Sequence, residues 1–132
     1  MNDSKLLLWT LAILAWLATA SPATAQSKDI EVVPANPNAP VLLYIRIDKP
    51  TVKIGDEVRF DFVSDTDGYV TLWDIGTSGR VSRIYPNDLG GDMRVKAGVG
   101  YGAGGPDDRF AFQVNGPVGV EDVYLVWTRT AE

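Results

Sequence analysis

The run from Gly55 to Asn87, GDEVRFDFVSDTDGYVTLWDIGTSGRVSRIYPN, restricts the fold more than any other part of the chain. Within it Val58, Phe60 and Phe62 alternate with Glu57, Arg59 and Asp61, the period of a strand with one apolar and one wet face. Asp65-Thr66-Asp67-Gly68 interrupts the run, and Asp-Gly between two alternating segments predicts a hairpin turn. Tyr69 to Ile75 is apolar on both faces, with Tyr69, Trp73 and Ile75 on one and Val70 and Leu72 on the other. Such a strand belongs in the middle of a sheet. Gly76-Thr77-Ser78-Gly79 turns the chain again and Arg80 to Tyr85 returns it. Pro86 ends this strand by withholding a backbone donor.

The flanking sequence repeats the pattern. Val41 to Ile47 places Leu43, Ile45 and Ile47 on one face and Tyr44 and Arg46 on the other, and Thr51 to Ile54 is a short extended piece stopped by Gly55-Asp56. Met93 to Lys96 is a further short candidate inside a loop region, Asp88 to Asp108. Arg109 to Val114 alternates with Phe110, Phe112 and Val114 inward. Val120 to Arg129 makes a long last strand with Val123, Leu125 and Trp127 on its apolar face. Seven or eight strands with frequent turns and no amphipathic helix among them predict an all-β, antiparallel, immunoglobulin-like β-sandwich, with a small β-barrel as the alternative.

The N-terminus is of a different kind. Leu6 to Ala20 is an apolar run after Lys5, and Ala23-Thr24-Ala25 supplies the small-x-small pattern of a signal peptidase site, with cleavage expected between Ala25 and Gln26. The run is short of the ~20 residues of a spanning helix; an uncleaved anchor is the competing reading. Residues 1–25 are therefore expected to be a signal peptide, 26–40 an extended Pro-rich linker with Pro34, Pro37 and Pro40, and 41–132 the folded domain. Of the linker only Ile30, Val32 and Val33 suit a sheet edge. The expected location is periplasmic or secreted, with no membrane span after cleavage.

Net charge is −5, with 12 basic and 17 acidic residues, and there is neither histidine nor cysteine. An acidic chain is poorly suited to nucleic acid, whose binding rests on neutralising phosphates. Without cysteine, an exported domain is held by packing and backbone pairing alone. Without histidine, the usual general base and metal ligand are missing. No cofactor and no enzymatic activity are expected.

The residue groups that suggest chemistry have structural explanations beside them. Asp65-Thr66-Asp67-Gly68 resembles the start of a calcium loop but runs straight into strand residues rather than to a twelfth-position Glu. Gly100 to Gly105 lacks the Lys-Ser/Thr ending and following helix of a phosphate loop. Tyr101, alone among these glycines, is a candidate for stacking on a sugar or anchoring a partner, with Asp107 and Asp108 on the same candidate binding loop; folding back onto the core is the competing reading. Asp88, Asp92, Asp107 and Asp108 lie on loops without coordination spacing. Asp61 and Asp74 are the strand carboxylates that a glycosidase would use. Asp61 is explained by its wet face. Asp74 is odd in an apolar strand and is expected either to sit near the strand end or to pair with Arg80 or Arg83.

Gly55-Asp56-x-Val58-x-Phe60, Asp67-Gly68-Tyr69-Val70, Gly79-Arg80-Val81 and Ile84-Tyr85-Pro86-Asn87, in this order and spacing, resemble the DUF4384 family of bacterial domains. Asp48-Lys49-Pro50 upstream, and Val95-Lys96-Ala97-Gly98, Phe110-x-Phe112 and Gly119-Val120-Glu121 downstream, fit as well. Asn115-Gly116-Pro117-Val118-Gly119 departs from the family's Pro-Pro-Phe/Tyr-Gly type of turn, and the glycine-rich insert around Tyr101 is particular to this chain. The resemblance implies an all-β module, exported alone or appended to other domains such as kinase- and peptidase-like ones, with no catalytic residues to carry over. The expected function is a non-catalytic binding module of the bacterial cell envelope, whose partner is a protein of an envelope, secretion or signalling assembly. Carbohydrate binding through Tyr101 is the alternative, and a carboxylate-based hydrolase the remote one.

Overall fold

A computed structural model describes residues 25–32 and 38–131. Residues 1–24 of the signal segment, Val33, Pro34 and Pro37 lie outside them. The described residues form eleven strands and no helix: β1 (Ser27–Val32), β2 (Leu43–Ile47), β3 (Thr51–Lys53), β4 (Glu57–Val58), β5 (Phe60–Ser64), β6 (Gly68–Ile75), β7 (Val81–Tyr85), β8 (Arg94–Val95), β9 (Gly100–Ala103), β10 (Phe112–Gln113) and β11 (Val120–Thr128). A large sheet runs β3-β1-β11-β6-β7, with β8 also on β6; a small one runs β2-β5-β9; β10 and β4 form a two-stranded ribbon. None of these sheets closes on itself, so the fold is all-β without a closed barrel.

The alternation read from the sequence survives in detail. Along β5 the residues are alternately buried and half-exposed, with Phe60 and Phe62 each 1% exposed. Leu72 and Val70 of β6 and Val123 of β11 are buried on the facing sheet. One hydrophobic core joins the inner faces of both sheets, and Phe62 of β5 meets Tyr85 of β7 edge-on at 5.8 Å between ring centroids. The aromatic cluster continues through Phe110, Phe112 and Phe60. Strand β6 is central, as its two apolar faces require. The β6–β7 hairpin also forms, closed by Gly79 N–H donating to Gly76 O at 2.8 Å, with Gly79 at a φ of 81° that suits glycine.

Four expectations are corrected. The Asp65–Gly68 turn is not a hairpin, because β5 pairs with β2 and β9 whereas β6 pairs with β11, β7 and β8. The turn passes the chain from one sheet to the other, and its carboxylates hold it there. Asp65 Oδ1 accepts from Leu42 N–H at 3.0 Å, and Asp67 Oδ1 accepts from Ala97 N–H at 2.8 Å. That second bond is the main reason the Asp67 carboxyl lies below its ordinary range. The single strand expected from the alternation of Val58, Phe60 and Phe62 with Glu57, Arg59 and Asp61 breaks at Arg59, where Asp48 Oδ1 accepts the Arg59 N–H at 2.8 Å. Its two pieces then take different partners, β4 with β10 and β5 with β2 and β9.

The third correction concerns the linker. Residues 27–32 are a strand inserted between β3 and β11, with Lys28 and Ile30 buried. Paired with β11 in parallel, this strand also makes the sheet mixed rather than wholly antiparallel. Lys28 hid it: a lysine in place of an apolar residue disguises the inward row Lys28, Ile30, Val32. The fourth is the glycine-rich segment, whose Gly100–Ala103 is strand β9 with Phe62 opposite Tyr101 and Phe60 opposite Ala103.

Candidate binding cleft

Pairing register decides which polar side chains meet. On β6, alternation places Asp74 on the inward row after Val70 and Leu72, and its direct neighbours are Val123 of β11 and Ser82 of β7. On β11, Glu121 precedes Val123 on the same row, and Ile30 of β1 stands opposite it. Lys28 is two residues before Ile30, so it too points inward. An otherwise apolar face therefore ends in a polar row: Lys28, Glu121, Asp74 and Ser82.

Of this row Glu121, Asp74 and Ser82 line a half-open cleft of about 490 Å³. Its apolar wall comes from Ile30, Val58, Phe60, Phe112, Val114 and Val123; Gln113 and Asn115 add polar groups. Lys28, 2% exposed, does not line the cleft but supplies the cation paired with Glu121. Its Nζ donates to the Asn115 carbonyl at 2.9 Å and to Glu121 Oε1, with which it forms an ion pair. Removing a lone ammonium from water costs several kcal/mol, and the paired carboxylate is what makes this burial tolerable.

Asp74 has no such arrangement. Its Oδ1 is buried without a hydrogen-bond partner, a condition shared among the described residues only by Trp127 Nε1, which does not line the cleft. Of the two positions expected for it, Asp74 takes the one near the strand end, next to last in β6, and the pairing with an arginine is not made. Arg83 stands opposite Trp73 on the other face, and neither Arg80 nor Arg83 forms an ion pair with Asp74. Burial, with the charges of Glu121 and Asp122 against only Lys28, pushes the Asp74 carboxyl up to about 6. Asp74 Oδ2 and Glu121 Oε1 both lie within 4 Å of where a side chain on Gly76 would begin. Two carboxylates thus share one ammonium, and that ammonium is bonded to Glu121.

The residues singled out from the sequence are not gathered into a site. Tyr101 is half-buried on the inward face of β9, stacked on Phe62 at 6.1 Å, and its hydroxyl accepts the Lys96 N–H at 2.9 Å. It extends the core edge and is not a loop aromatic. Asp107 is exposed. Asp108 closes its own turn by accepting the Gly105 N–H at 2.9 Å. Asp92 accepts the Arg94 N–H at 2.9 Å. No set of three or more carboxylates able to hold a metal ion occurs among the described residues. Asp61 lies on the outer face of the small sheet, far from any pairing with Asp74, and bonds Arg46 Nη2 and Arg59 Nε at 3.0 Å each.

Sequence reasoning missed Lys28 and Glu121. The inward parity of Asp74 and Glu121 was available from alternation, but nothing local linked residue 28 to residue 121.

A mixed-sheet all-β domain with a polar-ended cleft between its layers is the class these features define. The chain belongs to the DUF4384 family, a domain of unknown function, whose pattern matches residues 51–131. Asp74 and Glu121 fall inside that span, whereas Lys28 and β2 precede it. No curated protein and no solved structure matches the chain.

Proposed function

We propose that this protein is an exported, non-catalytic binding module of the cell envelope that receives a projecting side chain of a partner protein in the cleft between its sheets. The architecture suited to this is a two-layer sandwich of immunoglobulin-like type, with β1 as an added parallel strand. The observation that carries the proposal is the Asp74 carboxylate, which lines an apolar concavity without a protein cation or hydrogen-bond donor of its own, because binding sites combine apolar walls with a few unsatisfied polar groups. The test is retention of partners from envelope extracts by wild type and by Gln113→Trp, which crowds the mouth of the cleft from an exposed position. Wild type is expected to hold a partner that the variant loses while its melt is unchanged. Equal retention by both, or none above an unrelated β-domain, sinks the proposal.

Carbohydrate binding keeps one supporting observation, at a different place from Tyr101. Trp73 and Tyr124 are cross-strand neighbours on the outer face of the large sheet and half-exposed, with Tyr69 further along the same face. Such a platform suits a sugar ring. If it works this way, Trp73→Ala abolishes glycan-array binding without moving the melt. Hydrolysis would have to use Asp74 and Glu121, and the ammonium held on Glu121 counts against it.

A further inference from the structure

We propose that the group received by the cleft is a primary ammonium on an apolar stem, with Asp74 as its counter-ion; this rests on the cleft reading and names its ligand. The protein displays the solution once already. Lys28 sends an ammonium on a four-carbon stem across the apolar inner face to Glu121, and both ends of that contact are satisfied. Asp74 stands beside it without an equivalent.

The charged groups around Asp74 are few. Glu121 and Asp122 come from β11 and Lys28 from β1, while the facing residue of β7 is the uncharged Ser82. Two of these three are carboxylates, and the one cation is committed to Glu121. A cation from outside completes the balance, and a charge-assisted hydrogen bond to a partly desolvated carboxylate is among the stronger polar contacts available.

The geometry at Asp74 favours ammonium over its rivals. A guanidinium uses a planar two-oxygen edge. In Asp74 one oxygen, Oδ1, is buried out of reach of the cleft, which leaves a single oxygen, Oδ2, for a ligand. A calcium ion takes six or more oxygens, and Glu121 is engaged by Lys28. An ammonium is a point charge that accepts a single oxygen and leaves its other protons for groups such as Ser82 or Gln113 at the cleft wall. The stem then lies along Phe112, Val114 and Val123, where each buried methylene contributes about 0.8 kcal/mol.

The experiment is an NMR titration of the purified protein with hexylammonium and, separately, 1-hexanol, at about pH 7.5 and about pH 5, on either side of the Asp74 transition. Shifts at cleft residues and a preference of about tenfold for the amine are expected near pH 7.5, from the charge-assisted bond. That preference disappears in Asp74→Asn, shrinks at the lower pH, and is untouched in Asp61→Asn. Equal binding of amine and alcohol in wild type overturns the ammonium assignment and leaves the cleft reading standing. Absence of cleft shifts with both probes overturns the two together. Amine shifts confined to the exposed carboxylates overturn the assignment as non-specific pairing. A short peptide with one central lysine separates the sources: binding tighter than hexylammonium identifies a partner's lysine, and weaker binding a free amine.

Discussion

Asp61 and Asp74 are the same residue on neighbouring strands of the sequence, and the fold has placed them in opposite circumstances. Asp61 sits on the outer face of the small sheet between two exposed arginines. The Arg46 hydrogen bond, with Arg59 behind it, holds its carboxyl below the ordinary carboxylate range. Asp74 sits on the inner face of the large sheet, its buried oxygen unpartnered, and its carboxyl is pushed up to about 6. The lesson is that a carboxylate is explained by its surroundings rather than its presence on a strand. Outside, ample cation and solvent make the charge inexpensive. Inside, the fold has spent its one lysine on Glu121.

The largest break in this contrast comes from Lys28. Lys28→Met leaves Glu121 beside Asp74 without a cation, and a loss of about 3–5 kcal/mol in urea unfolding at neutral pH is expected. Adding Glu121→Leu should recover most of it. A single variant within about 1 kcal/mol of wild type would show that the pair is not buried as described.

Glycines test the two faces next. A side chain on Gly68 would run into the Trp127 indole and, at 2.8 Å, the Thr128 carbonyl, whereas one on Gly102 meets the tip of Arg59. Backbone and a packed ring cannot swing aside, but an arginine in solvent can. Gly68→Ala is expected to cost about 1–3 kcal/mol in thermal unfolding, and Gly102→Ala less than about 1. Equal costs would contradict the assignment of faces.

Asp74→Asn probes the raised carboxyl directly. Because the folded state holds its proton up to about pH 6 and the unfolded chain releases it near 3.8, wild type loses stability as pH rises between those values. The neutral variant escapes this loss. At about pH 8 it should be more stable by roughly 1–2 kcal/mol, after allowing for solvent screening at a half-buried site, with no gain at about pH 4. A variant less stable at both pH values refutes the account.

The smallest effect belongs to Asp61→Asn. The sign is opposite: a lowered carboxyl stabilises above its unfolded pKa, and that contribution is lost as pH falls through the folded value. Since the pair is at the surface, the cost at neutral pH should stay below about 1 kcal/mol and fade in molar salt. A salt-independent cost would place Asp61 in a drier setting than the one described.

Much of this was present in the order of residues. Alternation from Val58 to Phe62 and from Val70 to Leu72 assigned inner and outer faces correctly, because burial imposes a period of two wherever a sheet has one dry side. The double-faced Tyr69–Ile75 identified the central strand, and Gly76–Gly79 the hairpin. Even the inward position of Asp74 follows from parity. What local pattern leaves open is pairing. Asp65–Gly68 has the chemistry of a hairpin turn, yet which strand follows β5 in the sheet depends on what else competes for its edges, here β2 and β9. A lysine inside a proline-bounded arm reads as solvated until a carboxylate 93 residues later is brought against it. Glycines around Tyr101 read as a loop until Phe62 is found opposite. The sequence thus determined which residues face inward, a property of each segment by itself. Tertiary structure alone decided which inward groups share a cleft, because register between distant strands is a property of pairs.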